Sequence, residues 1–347
     1  MDIKNITKYL SEYNGDNITF MEVCGTHTAA ISENGIPSIL SSKIKLISGP
    51  GCPVCVTVAS YIDKLCELSL QPDTCVVTFG DMIRVPGTEL ALQDTKSMGG
   101  DVRMVYSPFE IIDIAKKEEE KTFIFAAVGF ETTTPIYAVL LEKIISEKIG
   151  NIKFLTALKT MPAAIETLCE SGEKIDGFIA PGHVSVITGA DIFKPLAEKY
   201  RLPFVVSGFR GEELLASIYA LTKLKGKGQV LNLYKSAVTD SGNKTAKKTV
   251  NKYFEVCGAA WRGLGYINNS GMALKKEYEK YDAGSRNLTE DRAKNKGCIC
   301  GKVITGLKSP NECRLFGKIC TPENPQGACM VSNEGSCFHY YINNRKS

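Results

Sequence analysis

The residues of this chain most able to do chemistry are three cysteines and a histidine in two short motifs: Cys24-Gly-Thr-His27 and Gly-Pro-Gly-Cys52-Pro-Val-Cys55. A thiolate and an imidazole three positions apart can ligate one soft or borderline metal. Alternatively, the imidazole can deprotonate the thiol and make it a nucleophile. Simple burial of Cys24 as a small apolar side chain stands beside both readings. The second motif, GPGCPVC (49–55), follows the apolar run KLIS and precedes a helical pattern, so its Cys-x-x-Cys is expected at a helix start. There the free N–H groups and the helix dipole would favour a thiolate at Cys52. Such a pair can cycle between dithiol and disulfide, or supply two metal thiolates.

Two further polar, glycine-bearing loops follow apolar runs: GFETTTP (129–135) and PGHVSVITG (181–189). If those runs are strands of a parallel sheet, the loops lie at carboxyl ends, where open α/β folds bind ligands. Glu131, Thr132, Thr133 and His183 would then converge with Cys52 and Cys55. The plainer alternatives are a threonine capping the helix that begins near Pro135 and a hydrogen-bonded, partly buried His183.

The tail carries six of the chain's thirteen cysteines: Cys298, Cys300, Cys313, Cys320, Cys329 and Cys337. Six exceed the four that a tetrahedral zinc or a [4Fe–4S] cluster uses. Four thiolates plus an adjacent redox pair would account for all of them, and a structural zinc is the alternative. So many cysteines, in the reducing cytoplasm expected for this chain, argue for metal or redox work over structural disulfides. A P-loop and a G-x-G-x-x-G fingerprint are both missing, which argues against those nucleotide sites.

The elements that must position these residues alternate. KLIS (45–48), TCVVTFG (74–80), VRMVYS (102–107), TFIFAAVG (122–129), IKFLTAL (152–158), DGFIAP (176–181) and PFVVSG (203–208) read as strands covered on both faces. Helical patterns lie between them at 58–68, 109–120, 135–148, 162–170 and 211–223, and an amphipathic helix opens the chain. Alternation of this kind predicts parallel sheets with helices on their faces. The 347 residues suffice for two or three domains. The expected division is a first α/β domain over 1–120, a second over 121–225, with the charged KKEEEK run as the seam, and a cysteine-rich region over 226–347. That last region has too little apolar material for a core of its own and needs a metal or docking onto the rest. A formal charge of +4 is too small to imply nucleic acid, and no apolar run approaches the roughly 18 residues of a membrane span.

Taken together, CGTHT (24–28), GPGCPVC (49–55), GFETTTP (129–135), PGHVS (181–185), WRGLG (261–265) and the tail from CICGKVITG to CTPENPQGACMVSNEGSC (298–337) resemble the HypD family of hydrogenase maturation factors. The resemblance spans nearly the whole chain. It implies two α/β domains facing a cleft, plus a C-terminal region holding a [4Fe–4S] cluster. It also implies assembly of the Fe(CN)2CO unit of [NiFe]-hydrogenases with the chaperone HypC, cyanide arriving from HypF and HypE. On this resemblance Cys24 ligates the iron with His27 beside it. Cys52 and Cys55 form the thiol pair of the cleft, able to contribute to the iron site, and Glu131, Thr132, Thr133 and His183 line it. The tail is similar to ferredoxin–thioredoxin reductase, which implies Cys298, Cys313, Cys320 and Cys337 as cluster ligands and Cys300 with Cys329 as a redox pair. Cys66, Cys75, Cys169 and Cys257 match no motif and are expected to be small buried residues. The rival reading is an iron–sulfur thiol–disulfide oxidoreductase acting through Cys52 and Cys55.

Overall fold

The computed structural model describes residues 2–344. Its strands are β1 (Ile18–Glu22), β2 (Ile44–Ser48), β3 (Thr74–Thr78), β4 (Asp101–Met104), β5 (Thr122–Gly129), β6 (Ile152–Lys159), β7 (Gly177–Ala180), β8 (Phe204–Val206), β9 (Val230–Asn232), β10 (Phe254–Trp261) and β11 (Gly265–Leu274). One sheet has the order β2-β1-β7-β8-β9, with every pairing parallel. The other has the order β10-β11-β6-β5-β3-β4; it is parallel from β6 to β4 and carries the antiparallel β10–β11 hairpin on one edge. The α/β class with parallel sheets is as expected.

The strand runs are apolar because both sheets are covered on both faces. Ile6 and Leu10 of the first helix (Ile3–Ser11) pack with Phe20, Ile179, Val205 and Leu214 on one side of the first sheet. Two further cores, one holding Phe123, Phe125 and Phe154 and the other Val76, Ile124 and Leu155, cover the faces of the second. The remaining core joins Val23, Phe130, Trp261, Cys52 and Cys55 to Val303, Ile304 and the tail cysteines. The tail therefore docks onto the α/β body, which supplies the burial it could not provide alone.

The linear division at 120 and 225 does not follow the strand pairing. Strands β3 and β4, before residue 120, share a sheet with β5 and β6, β3 pairing with β5, whereas β1 and β2 share the other sheet with β7 to β9, β1 pairing with β7. The KKEEEK run is a surface loop inside the second sheet's region, where Glu118 and Lys121 meet Arg103 and Asp101. The chain passes between the sheets three times: after β2, after β6 and after β9. The first passage carries GPGCPVC, so the dithiol motif lies where the two sheets are joined.

Candidate functional site

Strand β1 delivers Glu22 to the interior and ends beside Cys24, whose extended backbone caps the helix Gly25–Glu33. The Gly25 N–H donates to Gly51 O at 2.9 Å, and the Gly49 N–H donates to Glu22 O at 2.7 Å. A Cβ on Gly51 would stand 2.3 Å from Cys24 N and 2.5 Å from its Cα. Only glycine lets the two motifs lie this close. The buried Glu22 carboxyl accepts from the Cys24 N–H at 2.9 Å and the Thr28 hydroxyl at 2.5 Å.

Burial pushes the Cys24 thiol up to about 12, opposed by the backbone amides of His27 and Thr26 and reinforced by Glu22 and Glu334. His27 is fully buried, and burial holds it down to about 4. Its Nε2 lies 3.0 Å from Gly208 O and 3.3 Å from Ser207 O. Carbonyls only accept, so Nε2 carries the proton. The lone pair is then on Nδ1, which is buried without a partner among the described residues. A neutral imidazole with one nitrogen fixed on a carbonyl and the other unshared is oriented as a metal-ligating histidine is.

Cys52 and Cys55 are buried and joined as a disulfide, with their Cα atoms 5.2 Å apart. The expected helix start is not there: the next helix is Ala59–Ser69, and the motif occupies an isolated turn. Pro53 and the following turn hold the Cys55 N–H 3.1 Å from Cys52 Sγ. A single local amide, instead of a helix dipole, is thus available to a Cys52 thiolate.

Glu131 follows β5. Its Oε1 accepts from the Met161 N–H at 2.8 Å, at the start of the helix Met161–Glu170, and its Oε2 is enclosed with no partner among the described residues. The residue as a whole is half-buried, yet its carboxyl is shut off from water, and burial raises it to about 7. The adjoining Phe130 stacks on Trp261 at 5.8 Å and shares a core with Cys52 and Cys55. Thr133 caps the helix Thr134–Ser146 with its backbone only; its hydroxyl lies 3.3 Å from that of Thr132, which faces solvent. His183 is exposed and stacks on Phe209 at 4.1 Å, and Phe209 in turn lies 4.9 Å from the His27 ring. The segment after β7, expected as a loop, is the helix Gly182–Thr188, and it reaches the Cys24 motif through Phe209.

All six tail cysteines line one small cavity, together with Ile299, Val303, Leu315, Phe316 and Met330. The Cys337 N–H donates to Cys329 Sγ at 3.2 Å and the Gln326 N–H to Cys320 Sγ at 3.4 Å. A Cβ on Gly327 would stand 2.8 Å from Cys298 Sγ, so this glycine keeps the cavity open. Among the described residues no three His, Cys, Asp or Glu donors converge as a single-ion site requires. Soft donors spread around an apolar cavity fit the needs of a [4Fe–4S] cluster. Burial raises the thiol of Cys320, and Cys298 is raised first by the Cys300 thiol beside it and then by burial. Of the four cysteines expected to be small buried residues, Cys66 and Cys75 are buried, whereas Cys169, in the last turn of its helix, and Cys257, midway along β10, are partly exposed.

Three residues of the site receive no role from the sequence, although two of them, Trp261 and Arg262, open the WRGLG motif. Glu22 stands two before Cys24, and its acidity within an apolar strand was the available signal. Trp261, the sole tryptophan, donates from Nε1 to Ser270 Oγ at 2.8 Å. Arg262 is buried; its guanidinium donates to Thr57 O at 2.8 and 3.0 Å, and its N–H to Val56 O at 2.9 Å. It ties the β10–β11 hairpin to the segment that leaves Cys55.

Parallel sheets, a buried Cys–His pair beside a dithiol turn, and a tail enclosing six thiols define a thiol-rich α/β protein. The chain belongs to the HypD family: the family model described as "HypD: Hydrogenase formation hypA family" matches residues 2–344. It is similar to hydrogenase maturation factor HypD1 of Bradyrhizobium diazoefficiens, 40% identical over 94% of this chain and 89% of that protein. It is also similar to HypD of Rhizobium leguminosarum bv. viciae, 40% identical over 94% and 88%, and to HypD of Azotobacter vinelandii, 38% identical over 94% and 89%.

Glu22 yields a pH prediction for the metal-free protein. Burial raises its carboxyl from 4.5 to about 7, so the fold favours the protonated form. Its contribution is full below pH 4.5 and is lost as pH rises through 7, by up to roughly 3 kcal/mol. Glu22→Gln keeps one oxygen to accept from the Cys24 N–H and an NH2 that can donate to the Thr28 hydroxyl oxygen, and it removes that loss. Urea unfolding between pH 4 and 8 should show a flatter stability profile for the variant; parallel profiles would refute the assignment.

Proposed function

We propose that this chain is a hydrogenase maturation factor on which iron acquires cyanide and carbonyl ligands to become the Fe(CN)2CO unit. It would act in complex with a HypC-type chaperone and receive cyanide from HypE. The observation that carries this reading is the buried Cys24–His27 pair, with its unshared Nδ1, held against the Cys52–Cys55 turn. Cys24 is a protonated thiol at neutral pH, so iron binding displaces its proton. The amides of His27 and Thr26 then face the resulting thiolate and stabilise it. His27 stays neutral across the physiological range and does not repel the cation. Reduced Cys52 and Cys55 offer two further thiolates or two electrons.

Cys298, Cys313, Cys320 and Cys337 would hold a [4Fe–4S] cluster, leaving Cys300 and Cys329 as the adjacent pair, a partition that rests on the resemblance to ferredoxin–thioredoxin reductase. Such a cluster supplies single electrons when bound. Glu131, its carboxyl poised near neutrality and half-partnered, can hold or release a proton at Oε2. No described helix is long and apolar enough to cross a membrane. The family's members are expected in the cytoplasm.

The test is anaerobic co-purification with a HypC-type chaperone from cyanide-competent cells, followed by infrared spectroscopy of the cyanide and carbonyl stretches. Bands in the wild type that vanish in Cys24→Ala are the expected result. Bands that persist in the variant would remove Cys24 from the site. The Cys52–Cys55 disulfide also favours a second reading, a thiol–disulfide oxidoreductase similar to ferredoxin–thioredoxin reductase. That reading predicts no bands in either protein and undiminished disulfide exchange in Cys24→Ala.

A further inference from the structure

A second cavity, of about 270 Å³, opens between the carboxyl end of β6, the β10–β11 hairpin and the segment 285–289. None of the site residues assigned above lines it. Its volume lies near the lower end of the range for small-molecule sites. Strand β10 breaks register between Cys257 and Ala259, and this irregularity bends the strand where the cavity opens.

Lys159, the last residue of β6, lines the cavity and is only 3% exposed. Its Nζ donates to Ala260 O at 2.6 Å and lies 5.5 Å from the Trp261 ring centroid. Among the described residues no carboxylate pairs with it: the nearby Asp291 lies 3.6 Å from the Arg262 guanidinium. Burying an ammonium that way is costly unless something else compensates the charge. One carbonyl and one aromatic face compensate part of it and leave two N–H groups unassigned. A second cation, Arg286, stands exposed among the lining residues and makes only a loose 3.6 Å pair with Glu255. Because Nζ uses a proton on Ala260 O, it acts here as a hydrogen-bond donor. Its remaining N–H groups have no acceptor among the described residues, and an oxyanion would supply one.

We propose that this cavity binds a small molecule through a carboxylate or phosphate group, with Lys159 as the buried anchor and Arg286 as the cation at the opening. The proposal does not rest on the iron-assembly reading. It places a ligand behind Trp261, the ring that Phe130 and the Lys159 ammonium both approach.

Calorimetry on the full chain with inorganic phosphate and with malonate, at constant ionic strength, tests it and separates the two ligand types. The expected result is saturable one-to-one binding of at least one anion, weakened about tenfold or more by Lys159→Met and less by Arg286→Ala. Binding of neither anion above a chloride control would overturn the proposal, as would equal binding by Lys159→Met. Should Lys159→Met fail to fold, acetylation of Lys159 in the wild type, followed by mass spectrometry, decides the matter. Protection by the bound anion supports the site, and an unchanged rate at saturating anion removes it.

Discussion

Alanine at position 51 is expected to break the contact between the Cys24 motif and the dithiol turn. The added Cβ would sit 2.3 Å from Cys24 N, 2.5 Å from its Cα and 2.6 Å from its carbonyl carbon. All three are backbone atoms, pinned between β1 and the helix Gly25–Glu33, so no side chain can swing away to make room. Either the GPG loop or the Cys24 segment must move, and the Gly25–Gly51 hydrogen bond goes with it. Overpacking of this kind, together with a lost buried hydrogen bond, should cost roughly 3 kcal/mol. Gly150→Ala is the matched control, because its Cβ would meet nothing within 4 Å and its φ is negative; there the change should be within about 1 kcal/mol and of either sign. Urea unfolding of the two variants checks both numbers. Equal stabilities would mean the loop yields freely, and the close approach of the motifs would lose its structural meaning.

The site was legible in sequence to the extent that it is local. Each of the motifs CGTHT, GPGCPVC, GFETTTP and PGHVS follows a strand, and a parallel strand's carboxyl end is a local property. Which strands become neighbours is not local. Nothing in the composition of residues 74–104 says that they pair with 122–159 while residues 18–48 pair with 177–232. The linear division at 120 and 225 departs from the strand pairing for that reason. Strand β1 went unassigned because five residues ending in a glutamate carry little pattern. The β10–β11 hairpin went unassigned because its half-exposed residues, rich in Gly and Asn, break the apolar run that signals a strand. The expected helix at Cys52 failed differently: the turn closes on Val56, Arg262 takes the carbonyls of Val56 and Thr57, and the helix begins only after the extended Val58. Long-range partners overrode a local preference there.

Arg262 and its neighbour Trp261 lead to the other large effect. Trp261 is fully buried where the second sheet meets the core of the dithiol turn, stacked on Phe130 and bonded through Nε1 to Ser270. Trp261→Ala should cost roughly 3–5 kcal/mol through lost burial and the cavity left behind. Trp261→Phe keeps a ring against Phe130 and gives up mainly the Ser270 bond, about 1 kcal/mol. The damage should also reach the dithiol, since Arg262, the next residue, holds Val56 O and Thr57 O, immediately after Cys55. Reduction of Cys52–Cys55 by a small dithiol should therefore quicken in the alanine variant and stay near wild type in the phenylalanine one. Far-UV circular dichroism must follow the unfolding, because the substitution removes the only tryptophan. If the alanine variant unfolds early yet keeps the wild-type reduction rate, the hairpin stabilises the fold without positioning the turn. A faster rate would instead assign the β10–β11 hairpin a part in setting access to the thiols.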